Sequence, residues 1–211
     1  NFKGHLSFVK VGKEGEMDIA FQIQCPGVNF DLSHAGKGKS HGWMFFSCYN
    51  TEQANTLLEV NASQKDKDFI MAVNWKKAEE YIKAGKGKMT PAKYAHNVYN
   101  ESTHSATSEM KTQVLVLDSK ELKDICYMIP CPKSPHGCDV DPTGEYIVGS
   151  GKLAALIPVF SFDKLQNAIK NKQFEGEYDG IPVIKYEAAL HGEVQKPGLG
   201  PLHTEFDGKG N

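Results

Sequence analysis

The chain has 211 residues with 26 acidic and 24 basic groups, a formal charge of −2 and 40% hydrophobic residues. These proportions are typical of a folded globular protein and exclude a disordered composition. All basic residues are lysines, so the chain lacks the bidentate guanidinium group of arginine. Because the net charge is also close to zero, we expect no nucleic-acid partner.

The sequence predicts three strand-to-helix junctions at nearly equal spacings along the chain. They lie at Asn74, Asp118 and Asp163, each after a short apolar run and before a helical pattern. Polar residues of these types are typical of helix N-caps. The preceding runs are Phe69–Val73, Val114–Leu117 and Leu156–Phe162.

A strand-rich repeat of roughly 40–50 residues is typical of β-propeller blades. We therefore predict an all-β class, with residues 1–211 forming part of a β-propeller that has short helical insertions. Three unrelated junctions in an α+β domain are the alternative. A parallel α/β sheet fits poorly, because the strands after Met128 follow each other too closely for crossover helices. The polar stretches 25–42, 84–110 and 172–200 predict irregular surface insertions.

Two local patterns are better explained by structure than by chemistry. The five cysteines, which lie at spacings that match no standard zinc signature, are predicted to be buried thiols. A mixed zinc site of Cys131, His136 and Cys138 is the less favoured alternative. Gly38-Lys39-Ser40 resembles a phosphate-binding loop, but Ser33 replaces the required glycine. No run approaches about 18 apolar residues, so no membrane span is predicted.

A histidine precedes an Asp-x-x-Gly turn at two places in the chain. His136 lies before Asp141-Pro-Thr-Gly144, and His203 lies before Asp207-Gly-Lys-Gly210. Equivalent positions of successive propeller blades converge on the central axis, so these two rings are expected to meet there. Converging imidazoles are ligands for copper, zinc, iron or nickel. The spacing therefore predicts a metal site, and the alternative is that both histidines are hydrogen-bonded structural residues beside their turns.

Several motifs resemble nitrous-oxide reductase. The resemblance runs from about Cys48 to the end of the chain, and its most specific block is Gly198–Asn211. It implies a seven-bladed propeller with a sulfide-bridged four-copper cluster bound by seven histidines, of which His136 and His203 would be two. The other matching segments are Cys48–Glu52, Gln64–Phe69, Lys133–Gly137, Gly151–Leu153 and Phe162–Leu165.

The resemblance also implies parts that residues 1–211 do not carry. These are the other five cluster histidines and a C-terminal cupredoxin domain with a two-copper electron-entry site. We therefore expect this chain to be an internal fragment that holds neither copper centre alone. The chain begins with Asn1 and ends on a turn after Asp207, which fits that expectation.

The family binds calcium near the cluster, and matching positions occur here. They are Tyr49, Glu52 and Asp68, with Asp66 as the alternative aspartate, and Ser134 stands where the family has asparagine. Oxygen ligands of these types suit Ca²⁺. The serine leaves open whether position 134 contributes its carbonyl or its side chain.

The resemblance implies a periplasmic enzyme that adds two electrons and two protons to N₂O, releasing N₂ and water. It also implies a homodimer and an electron-donor cytochrome or cupredoxin as partner. The competing hypothesis is a non-redox periplasmic propeller that binds a ligand or a partner protein. That hypothesis expects His136 and His203 to point to different places.

Overall fold

The computed structural model describes residues 3–49, 67–91, 97–100, 105–108, 113–195 and 198–211. Over these residues the chain is mostly β-strand, with three short α-helices and one 3-10 turn at Gly38–Ser40. The strands are β1 (Lys3–Val11), β2 (Met17–Pro26), β3 (Asn29–Ala35), β4 (Trp43–Tyr49), β5 (Lys67–Asn74), β6 (Lys88–Pro91), β7 (Asn97–Asn100), β8 (Ser105–Ser108), β9 (Gln113–Asp118), β10 (Cys126–Pro132), β11 (Pro135–Val140), β12 (Tyr146–Gly151), β13 (Leu156–Ser161), β14 (Phe174–Tyr178), β15 (Ile181–Ile184) and β16 (Leu190–Gln195). The helices are α1 (Trp75–Lys83), α2 (Phe162–Lys170) and α3 (Tyr186–Ala189).

Three sheets lie in successive layers. The first has the order β1-β2-β9-β6, the middle one β14-β15-β10-β5-β4-β3, and the third β11-β12-β13-β16. A separate hairpin pairs β7 with β8. The third sheet is antiparallel throughout, whereas β2 pairs with β9 and β10 pairs with β15 in parallel.

The middle sheet is buried on both faces. Along β5, Ile70 and Ala72 belong to one hydrophobic core, and the alternating Met71 and Val73 belong to the other. This is the two-residue period of a strand. The first core also contains residues of β11 to β13, and the second contains residues of β2 and β9. The two outer sheets therefore cover opposite faces of the middle sheet.

The helix junctions match the prediction in part. The Asn74 cap is confirmed, since its Oδ1 accepts a hydrogen bond from the Lys77 amide at 3.0 Å. The Asp163 cap is wrong: α2 begins at Phe162, and the Ser161 hydroxyl accepts the Lys164 amide at 3.2 Å.

The predicted helix after Asp118 is also wrong. The side chain of Asp118 accepts a hydrogen bond from the Lys120 amide at 2.9 Å, and its carbonyl accepts hydrogen bonds from the amides of Glu121 and Leu122. These bonds form a turn and not a longer helix, and β10 begins soon afterwards at Cys126.

Two turns on the middle and third sheets interlock. The Lys39 amide donates to the Thr143 carbonyl at 3.0 Å. A Cβ on Gly144 would lie 1.8 Å from the Lys37 carbonyl oxygen, and one on Gly38 would lie 2.1 Å from that of Thr143. Both glycines have positive φ, so only glycine fits at either position. The Gly-Lys-Ser run therefore packs two turns together.

The all-β prediction is confirmed in its coarse form, since the described residues are mostly strands in several sheets. No sheet formed by these residues closes on itself. The prediction of irregular insertions is wrong for 25–42, which contains β3, and for 172–200, which contains β14, β15, α3 and β16. The described part of 84–110 likewise contains β6, β7 and β8. Edge strands such as β3 and β14 have few buried positions, and their polar composition resembles that of loops.

Candidate metal centre

His136 is fixed on a sheet edge. It is the second residue of β11, an edge strand of the third sheet that packs against β3 and β4. The fully buried Ser47 hydroxyl donates to the His136 carbonyl at 2.6 Å and accepts the Leu32 amide at 3.0 Å. One side chain of β4 thus ties the backbone of His136 to β3.

The ring of His136 has a carboxylate partner. Its Nδ1 lies 2.5 Å from Oδ2 of Asp31, which is on β3. A carboxylate only accepts hydrogen bonds, so Nδ1 carries the proton in the neutral ring and Nε2 keeps its lone pair. A carboxylate behind the ring in this way orients many metal-binding histidines. Nε2 is therefore the nitrogen that can bind a metal.

His203 reaches the same place on a segment without strands, the C-terminal segment 198–211. The Gly200 amide donates to the Lys152 carbonyl at 3.0 Å, and the Thr204 amide donates to Asp139 Oδ2 at 2.8 Å. The segment crosses β11 closely, because a Cβ on Gly137 would lie 2.4 Å from the Leu202 carbonyl oxygen. These contacts place His203 beside the third sheet.

The structure brings the two predicted histidines together. The ring centroids of His136 and His203 are 4.8 Å apart, with an angle of 70° between their planes. Nδ1 of His203 lies 3.9 Å from Asp139 Oδ2, which is too long for a hydrogen bond. Each ring thus has a carboxylate near Nδ1.

A third histidine lies nearby. His34, in the stretch 25–42 predicted to be an irregular insertion, lies within β3, and its Nδ1 is 3.6 Å from Asp139 Oδ1. The same Nδ1 accepts the Val140 amide at 3.2 Å. Because Nδ1 of His34 accepts this hydrogen bond, it carries no proton that it could donate to Asp139. We therefore assign His34 a structural role next to the site.

Among the residues that the structure describes, the cysteines join no group of three or more potential metal ligands. All five are buried thiols, as predicted. Burial raises the pKa of Cys138 to about 12, and its Sγ contacts the Phe45 carbonyl oxygen at 3.4 Å. In the absence of a metal, a thiol with such a pKa stays protonated near neutral pH.

Three of the predicted calcium ligands, Asp68, Ser134 and Tyr49, are linked by a series of contacts that includes Lys152. Fully buried Asp68 accepts the Ser134 amide at 2.8 Å, and the Ser134 carbonyl accepts the Lys152 amide at 2.9 Å. Lys152 Nζ lies 5.3 Å from the centroid of the Tyr49 ring. Glu52 and the alternative Asp66 lie outside the described residues. Within the described ranges, no group of three or more His, Cys, Asp or Glu has a metal-binding arrangement.

Sequence reasoning missed Asp31, Asp139 and Lys152. Asp31 belongs to an alternating run in which Phe30 and Leu32 flank it, and this pattern could have identified β3 as a strand. Asp139 likewise lies between two buried residues of β11. Alternation places both aspartates on strands, but it does not reveal which histidine they face.

The chain is similar to curated nitrous-oxide reductases. It is 29% identical over 198 residues to that of Pseudomonas fluorescens and 30% identical over 199 residues to that of Stutzerimonas stutzeri. These matches cover 93% and 92% of this chain and 26% of each relative. The enzyme of Ralstonia nicotianae is 28% identical over 198 residues, which cover 92% of this chain and 26% of the relative.

These matches confirm the resemblance to nitrous-oxide reductase. The chain spans about a quarter of the length of the relatives it matches. No protein-family model matches the chain. Among the helices that the structure describes, none has the length and apolar character needed to cross a membrane.

Proposed function

We propose that residues 1–211 are the part of a nitrous-oxide reductase propeller that supplies His136 and His203 to the four-copper sulfide cluster. The observation that carries the proposal is the contact between these two rings at 4.8 Å, each with a carboxylate on its Nδ1 side. Similarity to reductases over most of the chain supports the assignment.

The reaction adds two electrons and two protons to N₂O and releases N₂ and one water. Held in part by His136 and His203, a copper cluster would provide a binding place for N₂O, a weak ligand, and would pass electrons to it. The chain's own residues bring the two imidazole rings together, 4.8 Å apart between centroids. Asp31 orients the His136 ring, and Asp139 holds the segment that carries His203.

The layered sheets support a partial β-propeller. Neighbouring propeller blades pack face to face, and three sheets of this chain do so in succession around two hydrophobic cores. The relatives are about four times as long as this chain. A full-length protein of that size would have room for the remaining blades, the other five histidines and the cupredoxin domain. We assign those parts to chain outside residues 1–211.

Calcium binding belongs to the same proposal. Tyr49 and Ser134 contact Lys152, Asp68 accepts the Ser134 amide, and Glu52 would complete the set. Periplasmic location, a homodimer and an electron-donor cytochrome or cupredoxin follow from the reductase assignment. The alternative of a non-redox binding scaffold predicts rings that point apart, and the observed ring contact disfavours it.

The test uses the full-length protein that contains this chain, purified without oxygen. N₂O consumption is followed by gas chromatography, and copper is measured by mass spectrometry. His136→Ala and His203→Ala should each lower cluster copper and N₂O reduction by at least about tenfold, since each removes a ligand. His5→Ala, an exposed histidine on β1, serves as the matched control and should retain both.

A full-length protein that carries copper and reduces N₂O, with losses confined to the two site variants, supports the proposal. A protein with neither copper nor N₂O reduction would contradict it. The proposal also fails if His5→Ala and the two site variants lose activity equally.

A further inference from the structure

Lys152 lies where the segments that carry the candidate ligands meet. It follows β12 directly, and its amide donates to the Ser134 carbonyl at 2.9 Å, two residues before His136. Its own carbonyl accepts the Gly200 amide at 3.0 Å, three residues before His203. The backbone of one lysine is thus bonded to both histidine-bearing segments.

The side chain of Lys152 continues this arrangement. Its ammonium lies 3.5 Å from Oδ2 of Asp31, the same oxygen that contacts Nδ1 of His136. It also lies 5.3 Å from the centroid of the Tyr49 ring, within the range of a cation–π contact. An ammonium, a carboxylate and an imidazole therefore form a connected series that begins beside Tyr49.

Burial sets this lysine apart from other paired lysines of the chain. The side chain of Lys152 is 17% exposed, whereas that of Lys88, which pairs with Glu121, is 76% exposed. Water and salt screen an exposed pair much more strongly than a partly buried one. We therefore expect the Lys152–Asp31 pair to affect the neighbouring side chains more than the exposed pair of Lys88 does.

We propose that Lys152 is a positioning residue for His136, acting through Asp31. The ammonium balances the partly buried carboxylate and keeps Oδ2 directed at Nδ1, so that the ring presents Nε2 in a fixed direction. Without the ammonium, Asp31 would gain hydration by turning away from the ring. The Tyr49 contact connects this series to the predicted calcium ligands. This inference rests on the proposed function, since it names a residue that supports the same copper site.

The test compares three variants of the full-length enzyme. Lys152→Met removes the charge and keeps a long apolar side chain over Tyr49, and Lys152→Arg keeps the charge. Lys88→Met removes a paired but exposed lysine from the first sheet and is the matched control. The measurements are cluster copper, its absorption spectrum, kcat and KM for N₂O, and the Nδ1–Oδ2 distance in crystals of the copper-free enzyme.

We expect Lys152→Met to shift the absorption spectrum and to lower copper affinity or kcat by about 10- to 100-fold, as for other partners of metal-bound histidines. KM should change little, and the distance between His136 and Asp31 should exceed the roughly 3.2 Å limit of a hydrogen bond. Lys152→Arg and Lys88→Met should keep the spectrum of the unmodified enzyme.

Two results would overturn the inference while leaving the proposed function intact. One is an unchanged spectrum, kcat and distance in Lys152→Met. The other is equal damage in Lys152→Met and Lys152→Arg, which would show that side-chain shape matters and charge does not. If the unmodified enzyme holds no copper cluster, the proposed function itself fails, and the inference fails with it.

Discussion

The two histidines of the candidate copper site are held by different kinds of structure. His136 belongs to β11, and its backbone is tied to neighbouring strands through Ser47. His203 belongs to the C-terminal segment, whose backbone amides donate hydrogen bonds to the Lys152 carbonyl and the Asp139 carboxylate. Strand pairing is cooperative, whereas a docked segment opens locally at a lower free-energy cost. The two halves of the site should therefore respond differently to substitution.

The largest effect is expected on the strand-held half, from Gly144→Ala. The new Cβ would lie 1.8 Å from the Lys37 carbonyl oxygen, and the backbone has a φ of +75° that alanine rarely adopts. Separating the interlocked turns should lower the free energy of unfolding by roughly 3–5 kcal/mol. Urea denaturation followed by circular dichroism measures this change.

Gly192→Ala is the control for this substitution. Gly192 lies in β16, and nothing comes within 4 Å of a Cβ at that position. Its free energy of unfolding should change by less than about 1 kcal/mol. Equal losses in the two variants would mean that the interlocked turns do not stabilise the strand-held half.

A smaller and local effect is expected on the docked half, from Asp139→Ala. The substitution removes the acceptor of the Thr204 amide, and a hydrogen bond to a charged group contributes about 1.5–3 kcal/mol. Amide hydrogen exchange in residues 198–211 should accelerate by about tenfold or more, as measured by mass spectrometry. Exchange in β12 should stay the same.

Glu177→Ala is the matched control, because it removes an exposed carboxylate that pairs with Lys123. It should leave exchange in the C-terminal segment unchanged. If Asp139→Ala accelerates exchange across β11 and β12 as strongly as in the segment, the docked half is not independent of the sheet.

The sequence allowed the convergence of His136 and His203 to be predicted because a local plan is repeated. In both places a histidine precedes an Asp-x-x-Gly turn, and both turns form: Gly144 donates to the Asp141 carbonyl, and Gly210 donates to that of Asp207. Turn chemistry and strand alternation depend on neighbouring residues, and sequence reasoning recovers such features well.

The partners of the two rings could not be predicted in the same way. Asp31 and His136 are 105 residues apart in the sequence, and their contact depends on how β3 and β11 meet across two sheets. Neither residue carries a local signal of that pairing. The polar composition around Asp31 also favoured a loop, because β3 is an edge strand with little buried surface. Contacts between sheets are set by tertiary packing, which no local pattern encodes.

The smallest expected effect is a loss of stability at low pH, when the aspartates of the two turns are protonated. Burial alone would raise the pKa of Asp141, but hydrogen bonds from Thr143 and from the amides of Tyr146 and Glu145 lower it overall. Hydrogen bonds from the backbone and side chain of Asn211 lower the pKa of Asp207. A lowered pKa in the folded state stabilises the fold above the ordinary value near 4, and this contribution is lost as the pH falls through the folded value.

The two aspartates should nevertheless differ in what their protonation changes. Asp141 is buried in the turn between β11 and β12, so its loss of charge below pH 4 should lower the free energy of unfolding. Exposed Asp207 should affect only the last turn of the C-terminal segment. Urea denaturation between pH 6 and pH 2 should therefore give a flatter pH dependence for Asp141→Asn and an unchanged one for Asp207→Asn. Equal flattening by both variants would show that the docked segment unfolds together with the sheet, so that the two histidines are held by one cooperative unit.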